Sequence, residues 1–147
     1  MSRLRIRSSR PDDVQALLDI WRREVAETHD FVSADDRAAI DQAVAETYLP
    51  SAELMVAVDG EDRPIAFLGG TGREIDALFV DPRVNGQGVG RMLVEAFAGS
   101  GGGDLYVEVN EQNEGARGFY ERLGFRVVGR KPLDGQGRPY PLLRLVR

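Results

Sequence analysis

Three observations predict an α/β (α+β) fold for this chain. Apolar runs of strand length recur along it, stretches with helical spacing separate them, and a glycine-rich loop, Asn85-Gly86-Gln87-Gly88-Val89-Gly90, joins one such strand to a helix. The order reads strand, helix, helix, three strands, helix, strand, helix, two strands. At 147 residues the chain is long enough for one well-filled core and too short for two ordinary domains, so residues 1–147 are expected to form a single domain.

The first strand is marked by Leu4, Ile6 and Ser8 alternating with Arg5 and Arg7. Pro11 opens a helix with Asp12 and Asp13 in its first turn, and Leu17, Leu18, Trp21 and Val25 give it an apolar stripe. Ser33 with Asp36 reads as a variant capping box for a second helix, anchored by Ile40, Val44 and Leu49 and expected to stop at Pro50. Residues 53–58 and 64–70 form a hairpin around Asp59-Gly60-Glu61-Asp62. Residues 74–80 are the next strand, and 89–98 the helix opened by the glycine loop. Gly99-Ser100-Gly101-Gly102-Gly103 breaks that helix as a surface connection. Residues 104–109 form a strand, and 112–123 a helix capped by Gly124. Residues 125–130 and 139–146 then pair as a last hairpin.

Glycines 86, 88 and 90 tolerate positive φ and close approach, and the following helix start offers unpaired amides and a positive dipole end. This combination cradles phosphate. A Walker loop would continue with Lys-Ser or Lys-Thr where Arg91-Met92 stands. A dinucleotide fingerprint would need another glycine at Arg91 and a place after the first strand. Both are set aside.

The window Asn85 to Gly90 resembles the acetyl-coenzyme A loop of the GCN5-related N-acetyltransferases (GNAT), with Asn85 where that family usually carries Arg or Gln. A second segment, Asn113-Glu114-Gly115-Ala116-Arg117-Gly118-Phe119-Tyr120-Glu121-Arg122-Leu123-Gly124-Phe125, is similar to the family's helix and strand after the coenzyme loop. Thr28-His29-Asp30-Phe31, residues 76–90, Val109-Asn110-Glu111-Gln112-Asn113 and Pro139-Tyr140-Pro141-Leu142-Leu143 together resemble one bacterial subgroup, the YjaB-type acetyltransferases. The resemblance implies a mixed, mostly antiparallel seven-stranded sheet, splayed between strands 4 and 5 and flanked by four helices. The pantetheine arm would lie in that splay.

It also implies an acetyl-coenzyme A-dependent N-acetyltransferase that moves acetyl directly to a primary amine, of a small molecule or a protein, within a ternary complex. A non-catalytic acyl-coenzyme A sensor on the same fold is the alternative. Coenzyme binding is expected from Leu78, Phe79, Val80, Asn85, Gly86, Gln87, Gly88, Val89, Gly90, Arg91, Asn113 and Tyr120, with a backbone amide of Phe79 or Val80 receiving the oxyanion. Tyr120 falls where the family places the acid for the departing thiolate; a phenol of pKa about 10 suits a thiol of about 8.5. An alkyl ammonium needs a base, and Glu108, Asp76 and His29 are the candidates. Trp21, Phe31 and Tyr140 could wall the acceptor site, although Trp21 continues a core stripe. Arg83, Arg91 and Arg117 are possible phosphate partners, with Arg91 best placed.

Composition limits the other classes. The absence of cysteine excludes disulfides, thiolate metal sites and a cysteine nucleophile, and a single histidine makes a zinc site improbable, so no metal is expected. A net charge of -5 argues against nucleic acid as a partner. No stretch has the length of a signal or membrane span, so a cytoplasmic protein without membrane contact is expected, as monomer or homodimer.

Overall fold

The computed structural model, which describes residues 4–147, turns the strand runs into one mixed sheet. Its strands are β1 (Arg5–Ser8), β2 (Met55–Val58), β3 (Pro64–Thr71), β4 (Glu74–Val80), β5 (Tyr106–Asn110), β6 (Arg126–Lys131) and β7 (Leu142–Val146). They lie in the order β1-β2-β3-β4-β5-β7-β6. Only β4 and β5 run parallel; all other neighbours are antiparallel.

Alternation along the strands sorts side chains to two cores. Val56, Val58 and Phe67 face α1 (Val14–Thr28), whose Leu17, Leu18, Ile20, Trp21 and Val25 are buried against them. Ala57, Ala66 and Leu68 face the other way, onto Val89, Leu93, Val94 and Phe97 of α4 (Val89–Ala98). Tyr120 of α5 (Glu114–Arg122) joins the same side. Asp13 fastens β1 to the 3₁₀ turn before α1: its carboxylate accepts from both Arg7 guanidinium nitrogens at 2.8 and 3.0 Å and from the Arg10 amide at 2.7 Å.

The second helix departs from expectation at both ends. Ser33 caps α2 (Ala34–Ala43) by accepting from the Asp36 amide at 3.1 Å, but Asp36 does not reach back as a capping box would. Its carboxylate accepts from the Tyr140 hydroxyl instead, and that hydroxyl accepts from the Ser33 amide at 3.1 Å. At the other end the helix stops at Ser51, within a residue of the expected Pro50, but not as a plain α-helix. The rod continues through a π turn, Val44–Tyr48, into a last turn, α3 (Leu49–Ser51). The Leu49 amide bonds back five residues to the Val44 carbonyl, widening the coil just before the residue that lacks an amide proton. Taken as one rod, these pieces with α1, α4 and α5 make the four helices that flank the sheet.

The splay expected between the fourth and fifth strands is present. β4 and β5 share register only at Glu74–Tyr106 and Ile75–Val107. Beyond them the β4 edge from Asp76 to Val80 has no partner on that side, and the strand is held by β3 alone. The sheet therefore opens into a cleft.

Candidate active site

The loop from β4 to α4 is built to present backbone donors. Asp81 is buried, and its carboxylate accepts from the Arg83 amide at 3.0 Å to cap a 3₁₀ turn, Pro82–Val84, while Arg23 of α1 pairs with it at 2.9 Å. Gly86 and Gly88 then take φ of 82° and 75°, values that side-chain-bearing residues rarely adopt, and open space surrounds the Cα of each. Gly90 is glycine for another reason. A Cβ there would sit 3.1 Å from the Phe119 ring, so any side chain would press α4 against that ring. The first hydrogen bond of α4 is Met92 amide to Gly88 carbonyl, 3.0 Å, which leaves the amides of Val89, Gly90 and Arg91 ahead of the helical ladder.

Three chambers follow one another through the splay. A groove of about 530 Å³ is lined by Asn85, Gly86, Gly88, Val89, Gly90 and Arg91 and, across from them, by Phe119 and Tyr120. It shares Glu24, Leu78, Asn113, Ala116 and Tyr120 with a central cavity of about 240 Å³ between β4 and β5. The central cavity in turn shares His29, Phe79 and Asn110 with a third chamber of about 180 Å³, walled by Trp21, Val25 and Tyr140. The first two chambers together have the size of a ligand site, and polar side chains converge on the central one.

All four residues singled out for proton transfer, His29, Asp76, Glu108 and Tyr120, line the central cavity. Their surroundings differ. Tyr120 lies edge-on between Phe119 and Phe125, with centroids at 5.0 and 5.3 Å, and its burial raises the phenol pKa well above the ordinary value. Glu108 is in ion contact with Lys131 at 2.8 Å, an approach too oblique for an aligned hydrogen bond. Asp76 is exposed on the rim and accepts from the Thr71 hydroxyl at 2.6 Å. His29 closes α1; burial, then the Arg37 charge, lowers its pKa and keeps the imidazole neutral at pH 7. The Thr28 hydroxyl is 2.8 Å from the Glu24 carbonyl and 2.6 Å from His29 Nδ1. With its one proton given to the carbonyl, the tautomer assigned to His29 carries hydrogen on Nδ1 and a free lone pair on Nε2.

Among the coenzyme candidates, Leu78, Val80 and Asn113 line the groove together with the loop. Asn113 also caps α5, accepting from the Ala116 amide at 3.1 Å through Oδ1, which leaves its NH₂ group for the groove. Phe79 lines the central and third chambers rather than the groove, and the exposed side chain of Gln87 is absent from the lining. Of the arginines, Arg83 is held by Asp81 at 2.8 Å and Arg117 by Glu121 at 3.3 Å, whereas Arg91 lines the groove as expected.

Two charged residues lining the groove were missed. Arg122 reaches the groove from the end of α5. Glu24 lines both groove and central cavity, and burial together with the charges of Glu27 and Asp81 pushes its pKa up to about 7. The signal for Glu24 was its spacing: it stands three residues after Trp21 and seven after Leu17, a carboxylate within the buried stripe of α1.

A splayed mixed sheet with an amide-rich loop opening onto the splay defines an acyltransferase of the acetyl-coenzyme A-dependent kind. Residues 50–127 match the family described as acetyltransferase (GNAT) domain, and the chain belongs to that family of N-acetyltransferases. It is 48% identical over 143 residues to the peptidyl-lysine N-acetyltransferase YjaB of Salmonella typhimurium, covering 97% of each chain. It is 49% identical over 140 residues to the Escherichia coli protein of the same name, covering 95% of this chain and 94% of the relative. The solution structure of apo YjaB from Escherichia coli superposes with a TM-score of 0.92 at 46% identity, covering 98% of this chain and 97% of that one. The relatives carry enzyme names, which favours turnover over the sensor alternative.

Proposed function

We propose that the protein, as one acetyltransferase domain, transfers acetyl from acetyl-coenzyme A to the side-chain amine of lysine in a peptide or protein, within a ternary complex. One observation carries this reading. The groove below the glycine loop and the chamber beside the α1–α2 loop each share walls with the same central cavity, through different residues, so donor and acceptor can meet there. The acceptor class rests on the printed names of the relatives above.

In this scheme the amides of residues 86–91 and the Arg91 guanidinium hold the coenzyme pyrophosphate, with Asn85 at the loop's entrance contributing less than an arginine would. Amides alternate along β4 and the Asp81 amide bonds to Ile65 on the β3 side, so of Phe79 and Val80 it is Val80 whose amide lies on the unpaired edge and offers the donor for the tetrahedral oxyanion. Tyr120 donates to the departing thiolate sulfur. Because burial holds its proton firmly, it acts chiefly as a hydrogen-bond donor, with full transfer only as the sulfur charge peaks. Of the bases named from the sequence, His29 ranks ahead of Glu108, which already holds an ammonium, and of Asp76 on the rim. Acetyl-coenzyme A use fits the expected cytoplasmic location. No helix of the described residues is long and apolar enough to cross a membrane.

The test is calorimetric titration with acetyl-coenzyme A, followed by thiol release in the presence of a lysine peptide with a blocked N-terminus. Micromolar binding with release is expected. Release only with small amines or free N-termini would overturn the lysine assignment, and absence of binding would overturn the coenzyme site.

A further inference from the structure

Glu24 is the one carboxylate that lines both the coenzyme groove and the central cavity. It projects from α1 between Trp21 and Val25, both buried, so the helix that packs over β4 carries it to the junction where Tyr120 also stands. Among the described residues no cation pairs with it, although fifteen ion pairs form elsewhere. Its charged neighbours are largely acidic. Glu27 lies on the same helix, and Asp81 after β4 is already held by Arg23 and Arg83. Across the cavity stand Asp76 on β4 and Glu108 on β5, the latter taken by Lys131, while His29 is neutral. Arg91 and Arg122 line the groove beyond it. A half-buried carboxylate without a partner, among acids, is suited to receive a cation that arrives with the substrate.

We infer that Glu24 receives the acceptor's ammonium at the junction of the two chambers and takes its proton, directly or through one water. The inference rests on the acetyltransferase reading above and puts Glu24 ahead of His29 as its base. One proton passes from the ammonium to the carboxylate. The free amine then attacks the thioester carbon, forming the C–N bond, and collapse of the oxyanion breaks the C–S bond. The sulfur takes a proton from Tyr120, which regains one from the new amide nitrogen. One proton, on Glu24, is left for solvent. Glu24 is a better match to this work than His29: its pKa of about 7 lies at the operating pH, whereas that of His29 has been pushed below its usual value.

The test compares wild type with Glu24→Gln and Glu24→Asp, using acetyl-coenzyme A and a lysine peptide, across pH 5.5 to about 9. The expected result for Glu24→Gln is a fall of about a hundredfold in kcat/KM for the peptide at pH 7, with unchanged acetyl-coenzyme A affinity and an unfolding profile that matches wild type below pH about 4.5. The acid limb centred near pH 7 should vanish, leaving a rate that climbs with the free-amine fraction, and Glu24→Asp should restore part of it. Retention of the wild-type rate and acid limb would overturn the inference. So would a fall matched by an equal loss of acetyl-coenzyme A binding, which would assign Glu24 to the coenzyme instead. If wild type itself acetylates neither the peptide nor a small primary amine, the lysine reading fails first, visibly and without any variant, and the inference goes with it.

Discussion

Burial decides what single residues in this cleft can do. It pushes Tyr120 and Glu24 up and His29 down, so at neutral pH the cavity holds a protonated phenol, a carboxyl near half-ionised and a neutral imidazole. Removing the phenol hydroxyl with Tyr120→Phe should lower kcat on the order of a hundredfold while acetyl-coenzyme A affinity stays the same, as calorimetry and thiol release would report. Unchanged turnover would take Tyr120 out of the chemistry. Glu24 also makes a stability prediction. Its folded pKa is raised from 4.5 to about 7, so the folded state binds the proton more tightly and loses stability as pH rises from about 4.5 through 7. Glu24→Gln should therefore be more stable than wild type at pH 8, by about 1 kcal/mol after discounting for solvent screening, and equal to it below pH 4.5. Thermal unfolding at the two pH values checks this, and equal stabilities at pH 8 would contradict it.

At the scale of elements, the clearest matches between sequence and structure lie around the glycine loop. β4 and α4 begin and end where the pattern placed them, at Glu74–Val80 and Val89–Ala98, because the loop punctuates both. Gly86→Ala or Gly88→Ala should weaken acetyl-coenzyme A binding about tenfold and cost about 1 kcal/mol of stability, since each forces a side chain into positive φ where the amides must converge. Denaturant titration and calorimetry read the two effects separately. Elsewhere local pattern was a poorer guide. Pro50 marks the helix end to within a residue, but nothing local announces the π turn before it. Ser33 and Asp36 have capping-box spacing, yet a tyrosine 104 residues from Asp36 claims the carboxylate. Contacts of that kind have no local signature. The Arg7–Asp13 pair is likewise long in consequence. Asp13 is held below its usual pKa chiefly by Arg7, so its contribution is present above pH about 4 and is lost as pH falls through the lowered value. Asp13→Asn should cost about 2 kcal/mol by removing the two-point anion from a guanidinium of low exposure and leaving it Asp62 alone, measurable as a drop in Tm at pH 7.

For the whole molecule, function follows from one interruption of sheet pairing. Had β4 and β5 stayed in register beyond Ile75 and Val107, the β4 edge would be spent on a strand partner and no passage would cross the sheet. Family resemblance anticipated this opening, and the cleft residues from Leu78 to Asn113 were legible because they sit on recognisable segments. Arg122 was not, and Glu24 only as a carboxylate in a core stripe, because each lies on a helix whose orientation to the cleft exists only in three dimensions. The most direct test of this architecture is amide hydrogen exchange of the intact protein with and without acetyl-coenzyme A. The account predicts added protection at residues 86–91 and along 78–80, with little change on β1 and β2. Protection centred on β1 and β2, or none at the loop, would contradict the assignment of the splay as the site of acetyl transfer.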